Sequence, residues 1–156
     1  AQWAMGMDET CPVEIHPPAE GDTGLRFVYA NGIEMFHGGP SGTTFEGTEG
    51  TIYVDRKGIQ STPDTILKTP LGAQDFHLPV IAASHKQNWV DCIKTRQKPV
   101  ADVAIGARTA QVCQLANIGY WLRRPLKWNP AKEEFIGDAE ANKLRSRENR
   151  APWNKV

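Results

Sequence analysis

The chain has 156 residues, of which 40% are hydrophobic and 23% are charged, a composition typical of one soluble globular domain. Lys and Arg together number 18, as do Asp and Glu, so no net field draws the chain to nucleic acid or to a membrane surface. No apolar run approaches the roughly 18 residues of a membrane span, and the N-terminal residues lack the charged-then-apolar order of a signal peptide.

The N-terminal stretch AQWAMGMD (1–8) resembles the last turns of an apolar helix that runs into a turn. Compact proteins seldom begin inside an element, so we expect a further segment of the protein before Ala1. Trp3 lies at the end of this predicted helix. Its aromatic side chain is either a core or interface residue or a contact for substrate.

Strand patterns dominate the first half of the chain. CPVEIH (11–16) alternates apolar residues, and a Pro-Pro pair follows it. GLRFVYANGIEMFHGG (24–39) carries Asn-Gly between two β-rich runs, which predicts a hairpin with a two-residue loop. GTIYVDRKGI (50–59) predicts a further strand.

The two-residue loop fixes a register in which Arg26 lies opposite His37 and Val28 opposite Met35. Both faces of the hairpin are then largely apolar, and each of them needs cover. Helices of this chain cover one face, so we expect a second domain or a second subunit on the other. Arg26 and His37 form a polar pair that lines a substrate pocket or, alternatively, lies at a solvated sheet edge.

Helical patterns dominate the second half. Ser84-His-Lys-Gln87 has the form of a capping box and predicts a helix to about residue 97, with Trp89, Cys92 and Ile93 on its inner stripe. Asp102 is the predicted cap of a longer helix over residues 103–124. The apolar stripe of that longer helix consists of Ile105, Thr109, Val112, Cys113, Ala116 and Tyr120.

Residues 126–156 form a predicted extended tail. It begins with a short LKW strand, continues with a short helix over 139–144 capped by Asp138, and ends in an extended stretch pinned by Trp153. Since the strands precede the helices, the fold class is α+β. We expect an open, mostly antiparallel sheet with helices packed on one face, the other face being left for subunit or domain contact.

The residue patterns predict no metal, cofactor-binding or catalytic residue in this chain. The cysteines at 11, 92 and 113 are widely spaced, which favours small buried thiols over disulfides and suits a reducing compartment. The four histidines lack metal-ligand spacing. HGGPSG (37–42) follows a hairpin strand, and we interpret it as a plain loop rather than a nucleotide-binding turn.

Four stretches together resemble the C-terminal half of the Gfo/Idh/MocA oxidoreductases, the relatives of glucose–fructose oxidoreductase and inositol dehydrogenase. They are AQWAMGMD, HGGPSGTTFEGTEGTIYVDRKGI, HKQNWVDCIKTRQKPVADVAIGARTAQVCQLANIGYWLRRPLKWNP and GDAEANKLRSRENRAPW. The similarity is greatest to a bacterial branch with an extended C-terminal tail. One departure is Ala107, where the family pattern has a histidine.

The resemblance implies that residues 1–156 are the substrate-binding and oligomerisation domain of a larger two-domain enzyme. A Rossmann domain that binds NAD or NADP would precede Ala1, together with the catalytic lysine, aspartate and histidine. The implied reaction is hydride transfer to or from a sugar, cyclitol or related polyol. The implied partners are this small carbohydrate-like substrate and further copies of the chain, as a dimer or tetramer formed through the sheet face. The isolated chain is expected to be inactive and to bind no cofactor.

Two alternative functions remain open. Some relatives use a bound NAD to cleave glycosides by transient oxidation and elimination, so the intact protein is alternatively a glycoside hydrolase. The other alternative is a non-enzymatic carbohydrate-binding or assembly module with no partner domain. A cytoplasmic location is favoured, and a periplasmic one stays open because relatives in this branch carry export signals.

Overall fold

The structure is a computed structural model that describes residues 1–39, 41–75 and 84–152. Its strands are β1 (Glu14–His16), β2 (Leu25–Val28), β3 (Glu34–His37), β4 (Thr43–Gly47), β5 (Gly50–Val54), β6 (Ile59–Thr62), β7 (Leu126–Asn129) and β8 (Glu134–Phe135). Its helices are α1 (Thr65–Lys68), α2 (His85–Thr95), α3 (Val103–Leu122) and α4 (Ala139–Lys143). The predicted α+β class is confirmed, and the strands pair antiparallel throughout the described residues. Among the described helices, none combines the length and apolar character that a membrane crossing requires.

The chain divides into two compact units. The discontinuous unit joins Gln2–Gly39 to Val103–Val156, and the inserted unit is the intervening Pro40–Asp102. The discontinuous unit contains a five-stranded sheet of order β3-β2-β1-β7-β8 together with α3 and α4. The inserted unit contains a three-stranded sheet of order β4-β5-β6 together with α1 and α2.

The hydrophobic core lies in the discontinuous unit, where α3 packs on β1 and β2. Its buried side chains are Cys11, Ile15, Leu25, Phe27, Tyr29, Val112, Leu115, Ile118, Leu126, Trp128, Phe135 and Ala141. Gly119 brings the helix close to the sheet, because a Cβ there would lie 2.8 Å from Ile15 Cγ2 and 3.0 Å from Leu25 Cδ1. A larger residue would push the helix and the sheet apart.

The buried stripe of α3 differs in part from the predicted one. Val112 is buried as predicted, but Thr109 and Cys113 are exposed, and Leu115 and Ile118 are buried instead. The helix carries apolar residues around most of its circumference, so its sequence alone does not fix which side faces the sheet.

The three cysteines are free, as predicted, but the prediction that they are buried holds fully for one of them. Cys11 is buried beside α3, and its burial raises the pKa of the thiol. Cys92 is half-buried and Cys113 is exposed on α3.

The predicted β2–β3 hairpin is confirmed, but its loop has three residues rather than two. Tyr29 and Ile33 close the loop, with the Tyr29 amide donating to the Ile33 carbonyl at 2.9 Å. Gly32 ends the loop with φ +86°, the left-handed conformation that a three-residue hairpin loop requires and that glycine adopts without strain.

The longer loop shifts the strand register by one residue and overturns the predicted Arg26–His37 pair. Leu25 lies opposite His37, and Arg26 lies opposite Phe36. Directly opposed residues share a face of the sheet, so Arg26 and His37 point to opposite faces.

The shifted register makes the face of the five-stranded sheet away from α3 largely polar. Its charged and ionisable residues are Glu14, His16, Arg26, Glu34 and Lys127. Arg26 donates to Glu34 at 2.6 Å, and His16 Nε2 lies 2.8 Å from Glu14. The hydrogen bond with His16 lowers the pKa of Glu14. The prediction of two apolar faces is therefore wrong for this sheet, and contact with a second subunit stays a prediction.

The inserted unit has an amphipathic sheet but no fully buried residue within 41–75 and 84–102. Phe45, Ile52 and Val54 share one face and are half-buried, while Tyr53 and Gln60 lie on the other face. Three short strands bury too little apolar surface to build a closed core of their own.

The predicted N-terminal cap of α2 is confirmed, but the prediction that its apolar stripe is buried is wrong. The Ser84 hydroxyl accepts a hydrogen bond from the Gln87 amide at 3.2 Å, while the Gln87 side chain donates to Asp91 rather than reaching back. Trp89 and Ile93 are 60% and 46% exposed. The apolar stripe of α2 is therefore not covered within the described part of the inserted unit.

The predicted tail contains β7, β8 and α4 in its first part. Asp138 caps α4 as predicted, because its carboxylate accepts from the Ala141 amide at 3.0 Å. Arg124 donates to both Asp138 oxygens, which lowers the pKa of this carboxyl to about 2. The predicted anchor at Trp153 lies outside the described residues.

Candidate functional site

The candidate site lies at the open end of the β2–β3 hairpin, where β3 forms one edge of the five-stranded sheet. His37 is the last residue of β3, and its carbonyl accepts from the Gly24 amide at 2.6 Å. This bond closes the hairpin at the end opposite its loop. The His37 side chain is exposed on the face that α3 covers further along the sheet.

His37 and Tyr120 form the centre of the site. Imidazole Nδ1 lies 2.7 Å from the Tyr120 hydroxyl, and the two rings meet edge-to-face with centroids 5.7 Å apart. The same hydroxyl accepts from the Leu25 amide at 3.3 Å. The Tyr120 hydroxyl can at the same time donate to His37 Nδ1, in the imidazole tautomer that carries its proton on Nε2. The exposed Nε2–H is then a donor for a ligand oxygen.

Arg123 completes a group that we call the edge cluster, defined as His37, Tyr120 and Arg123. Its guanidinium carbon lies 5.5 Å from the centroid of the Tyr120 ring, within the range of a cation–π contact. Arg123 also donates to the Gly21 carbonyl and, at 2.9 Å, to the Asp22 carboxylate. These bonds tie the loop before β2 to the end of α3 and hold the Tyr120 ring in place.

The edge cluster contains one of the three sequence-predicted site residues. Arg26 lies on the opposite face of the sheet, in its ion pair with Glu34. Trp3 is 47% exposed in a short 3-10 helix, Trp3–Met5. Its neighbour Gln2 accepts from the Tyr29 hydroxyl, and Tyr29 lies four residues, or about 13 Å, along the strand from the end where His37 is found. The structure therefore does not bring the three predicted residues together.

Sequence reasoning missed the role of Tyr120 and Arg123. Tyr120 was expected on the apolar stripe of α3, and no contact was predicted for Arg123. The sequence feature that could have pointed to this contact is the Tyr120 side chain. A tyrosine at the end of an apolar stripe needs a hydrogen-bond partner for its hydroxyl. Knowing that the partner is His37 requires the tertiary structure, since 83 positions separate the two residues.

The described residues hold no cluster of three or more His, Cys, Asp or Glu side chains that could bind a metal ion. They also contain no glycine-rich turn that leads from a strand into a helix, the unit that binds a dinucleotide pyrophosphate. The chemistry available at the edge cluster is hydrogen bonding through an imidazole and a phenol.

Comparison with known proteins identifies the family. Residues 1–155 match the family model described as the oxidoreductase family C-terminal alpha/beta domain, of the Gfo/Idh/MocA type. The match covers nearly the whole chain, so the chain belongs to the Gfo/Idh/MocA oxidoreductase family as its C-terminal domain. Searches of curated proteins and of solved structures each gave no match.

Proposed function

We propose that this chain is the substrate-binding domain of an NAD(P)-dependent dehydrogenase. The enzyme transfers hydride between a nicotinamide and a carbinol carbon of a sugar, cyclitol or related polyol. The observation that carries the proposal is the family match over residues 1–155. The finer assignment of substrate class and cofactor follows the resemblance of the sequence to dehydrogenases of this family.

In this proposal the edge cluster contacts hydroxyl groups of the substrate. His37 Nε2 donates to a hydroxyl oxygen, and Tyr120 fixes the imidazole orientation through its 2.7 Å bond to Nδ1. The exposed position of His37 leaves room for a ligand. Trp3 and Arg26 remain candidate contacts, although the edge cluster does not include them.

The cofactor site belongs to another domain in this proposal. A bound nicotinamide supplies or accepts the hydride. The described residues offer it no pyrophosphate turn, so the Rossmann domain implied by the sequence resemblance would hold the cofactor and the acid–base groups. The role of this chain is to bind and orient the polyol, which positions its carbinol carbon for the transfer.

The enzyme is a homo-oligomer in this proposal, either a dimer or a tetramer. The support is the apolar face of the three-stranded sheet, where Phe45, Ile52 and Val54 are half-buried and Ile59 is 53% exposed. Apolar surface of this kind is typical of contacts with another chain or domain.

The direct test uses the complete product of the gene that encodes this chain. We expect NADH or NADPH to form when sugars, cyclitols and polyols are supplied with the oxidised cofactor. Cleavage of nitrophenyl glycosides without net cofactor reduction would instead support the glycoside hydrolase. Carbohydrate binding without either reaction would support the non-enzymatic module.

A variant tests the edge cluster within that assay. His37→Ala removes the proposed donor, so we expect kcat/KM for the polyol to fall about tenfold, mainly through KM. His16→Ala is the matched control, because His16 is also a histidine of this sheet but lies on its opposite face. Equal losses in the two variants would contradict a substrate contact at His37.

A further inference from the structure

A second concave site lies at the other edge of the five-stranded sheet. A groove of about 650 Å³ is lined by Leu115, Ile118 and Trp128 and by residues 143–147, which follow from the end of α4. This volume is in the range of small-molecule sites. The edge cluster is at β3 and the groove is beside β7 and β8, and the two share no residue, although Trp121 of the groove directly follows Tyr120 in α3.

The groove carries an excess of positive charge. Lys143, Arg145 and Arg147 line it, and none of these three forms an ion pair within the described residues. The carboxylate that lines it, Glu133, is paired with Arg108 at 2.7 Å. Cations gathered at a concave surface without matching carboxylates attract an anion.

Further polar side chains lie in the wall of the groove. Trp128 is 3% exposed, and its buried indole N–H has no hydrogen-bond partner in the described part of the chain. Leaving such a donor unpaired is unfavourable, and a ligand or water oxygen normally satisfies it. Gln111 and Gln114 also line the groove, and the described hydrogen bonds of their side chains use the amide oxygens.

An exposed aromatic surface lies beside these donors. Trp121 lines the groove and is 62% exposed, which is unusual for a residue of this size. An indole face provides a flat apolar surface for the C–H groups of a ligand ring. The groove thus combines a flat apolar contact, two glutamine side chains, and three cations that form no ion pair in the described part of the chain.

We propose that this groove binds an anionic monosaccharide, that is, a hydroxylated ring bearing a phosphate or a carboxylate. The ring lies on Trp121, and its hydroxyl groups bond to the side-chain amides of Gln111 and Gln114. Arg147 and Lys143 meet the anionic group. This site is separate from the edge cluster and does not depend on the dehydrogenase proposal.

The test measures binding to the complete protein by calorimetry. Glucose 6-phosphate and glucuronate are compared with glucose, which has the same ring type without the charge, and with inorganic phosphate, which has the charge without the ring. We expect one of the two charged sugars to bind at least about tenfold more tightly than both glucose and inorganic phosphate. Whichever of the two charged sugars binds more tightly shows whether the groove prefers a phosphate or a carboxylate.

Location is tested by NMR of the tryptophan indole N–H signals. Saturation with the tighter charged sugar is expected to shift the Trp128 signal, which Trp128→Phe identifies by its loss. Arg147→Glu is expected to weaken binding at least about tenfold. Arg150→Glu is the matched control, because Arg150 is an exposed arginine near Arg147 that does not line the groove. It is expected to bind within about twofold of the parent.

Four outcomes would overturn the proposal. One is that neither charged sugar binds more tightly than glucose. Another is that inorganic phosphate binds as tightly as the charged sugars, which leaves no role for the ring. The third is that Arg147→Glu and Arg150→Glu weaken binding equally. The fourth is that the Trp128 signal does not move. Since these measurements use no nicotinamide and no turnover, they are independent of the test of dehydrogenase activity.

Discussion

The discontinuous unit and the inserted unit have similar strand chemistry but differ in how much they bury. The core residues all belong to the discontinuous unit, where a 20-residue helix covers one face of a five-stranded sheet. The inserted unit has three strands of four or five residues, and none of its described residues is fully buried. Alternating apolar and polar residues therefore produce a buried core only where a helix of matching area covers the apolar face of the sheet.

The largest expected effect is a core truncation in the discontinuous unit. Phe27→Ala removes a side chain that is 2% exposed, so we expect the free energy of unfolding to fall by about 3–5 kcal/mol. Ile52→Ala is the counterpart in the inserted unit. It removes a half-buried side chain, and we expect a loss of about 1 kcal/mol. Urea unfolding of both variants measures the difference, and equal losses would mean that the inserted unit is as well packed as the core.

Two glycines of α3 test whether close helix–sheet contact holds the discontinuous unit together. Gly119→Ala places a Cβ 2.8 Å from Ile15, so we expect a loss of about 1–3 kcal/mol. Gly106→Ala meets no atom within 4 Å and gains helix propensity, so we expect a gain of up to about 1 kcal/mol. Thermal unfolding of the two variants should shift in opposite directions. A stabilised Gly119→Ala would show that α3 can move away from the sheet without loss.

The smallest expected effect concerns pH and the Asp138 cap. The pKa of Asp138 is lowered from 3.8 to about 2 in the folded chain by its bonds to Arg124, so the ionised form stabilises the fold above about pH 4. This contribution is lost as the pH falls through 4 toward 2, because the carboxyl becomes protonated. We expect the stability difference between the parent and Asp138→Asn to shrink over that interval.

Asp64→Asn is the control for the cap. Asp64 precedes α1 in the inserted unit, pairs with the exposed Lys68 and accepts no capping hydrogen bond. At neutral pH we expect Asp64→Asn to cost less stability than Asp138→Asn, because an exposed ion pair contributes little. Equal losses in urea unfolding would assign the effect of Asp138→Asn to general charge rather than to the cap.

Local signals in the sequence predicted local structure well. Ser84 and Asp138 cap the helices that were expected after them, and the β2–β3 hairpin forms around its Asn-Gly pair. Each of these features depends on hydrogen bonds between residues a few positions apart. The caps could therefore be predicted without knowing where distant parts of the chain lie.

Predictions that depend on a register or on distant contacts were less accurate. Asn31-Gly32 forms the end of a three-residue loop, and this one-residue shift moved Arg26 to the face away from His37. The Asn-Gly signal does not distinguish the two loop lengths, because glycine suits the left-handed position of both. Of the edge cluster, only His37 was predicted as a site residue. Tyr120 was missed because its bond to His37 connects residues far apart in sequence.

The discontinuity of the larger unit sets the order in which it can be completed during synthesis. Strand β1 at the centre of its sheet pairs with β7, about 110 residues later. At about 5–20 residues per second, the ribosome needs roughly 5 to 20 seconds to deliver that partner. Throughout this interval one edge of β1 is unpaired while the inserted unit emerges. The discontinuous unit is therefore most open to mispairing just before β7 is synthesised.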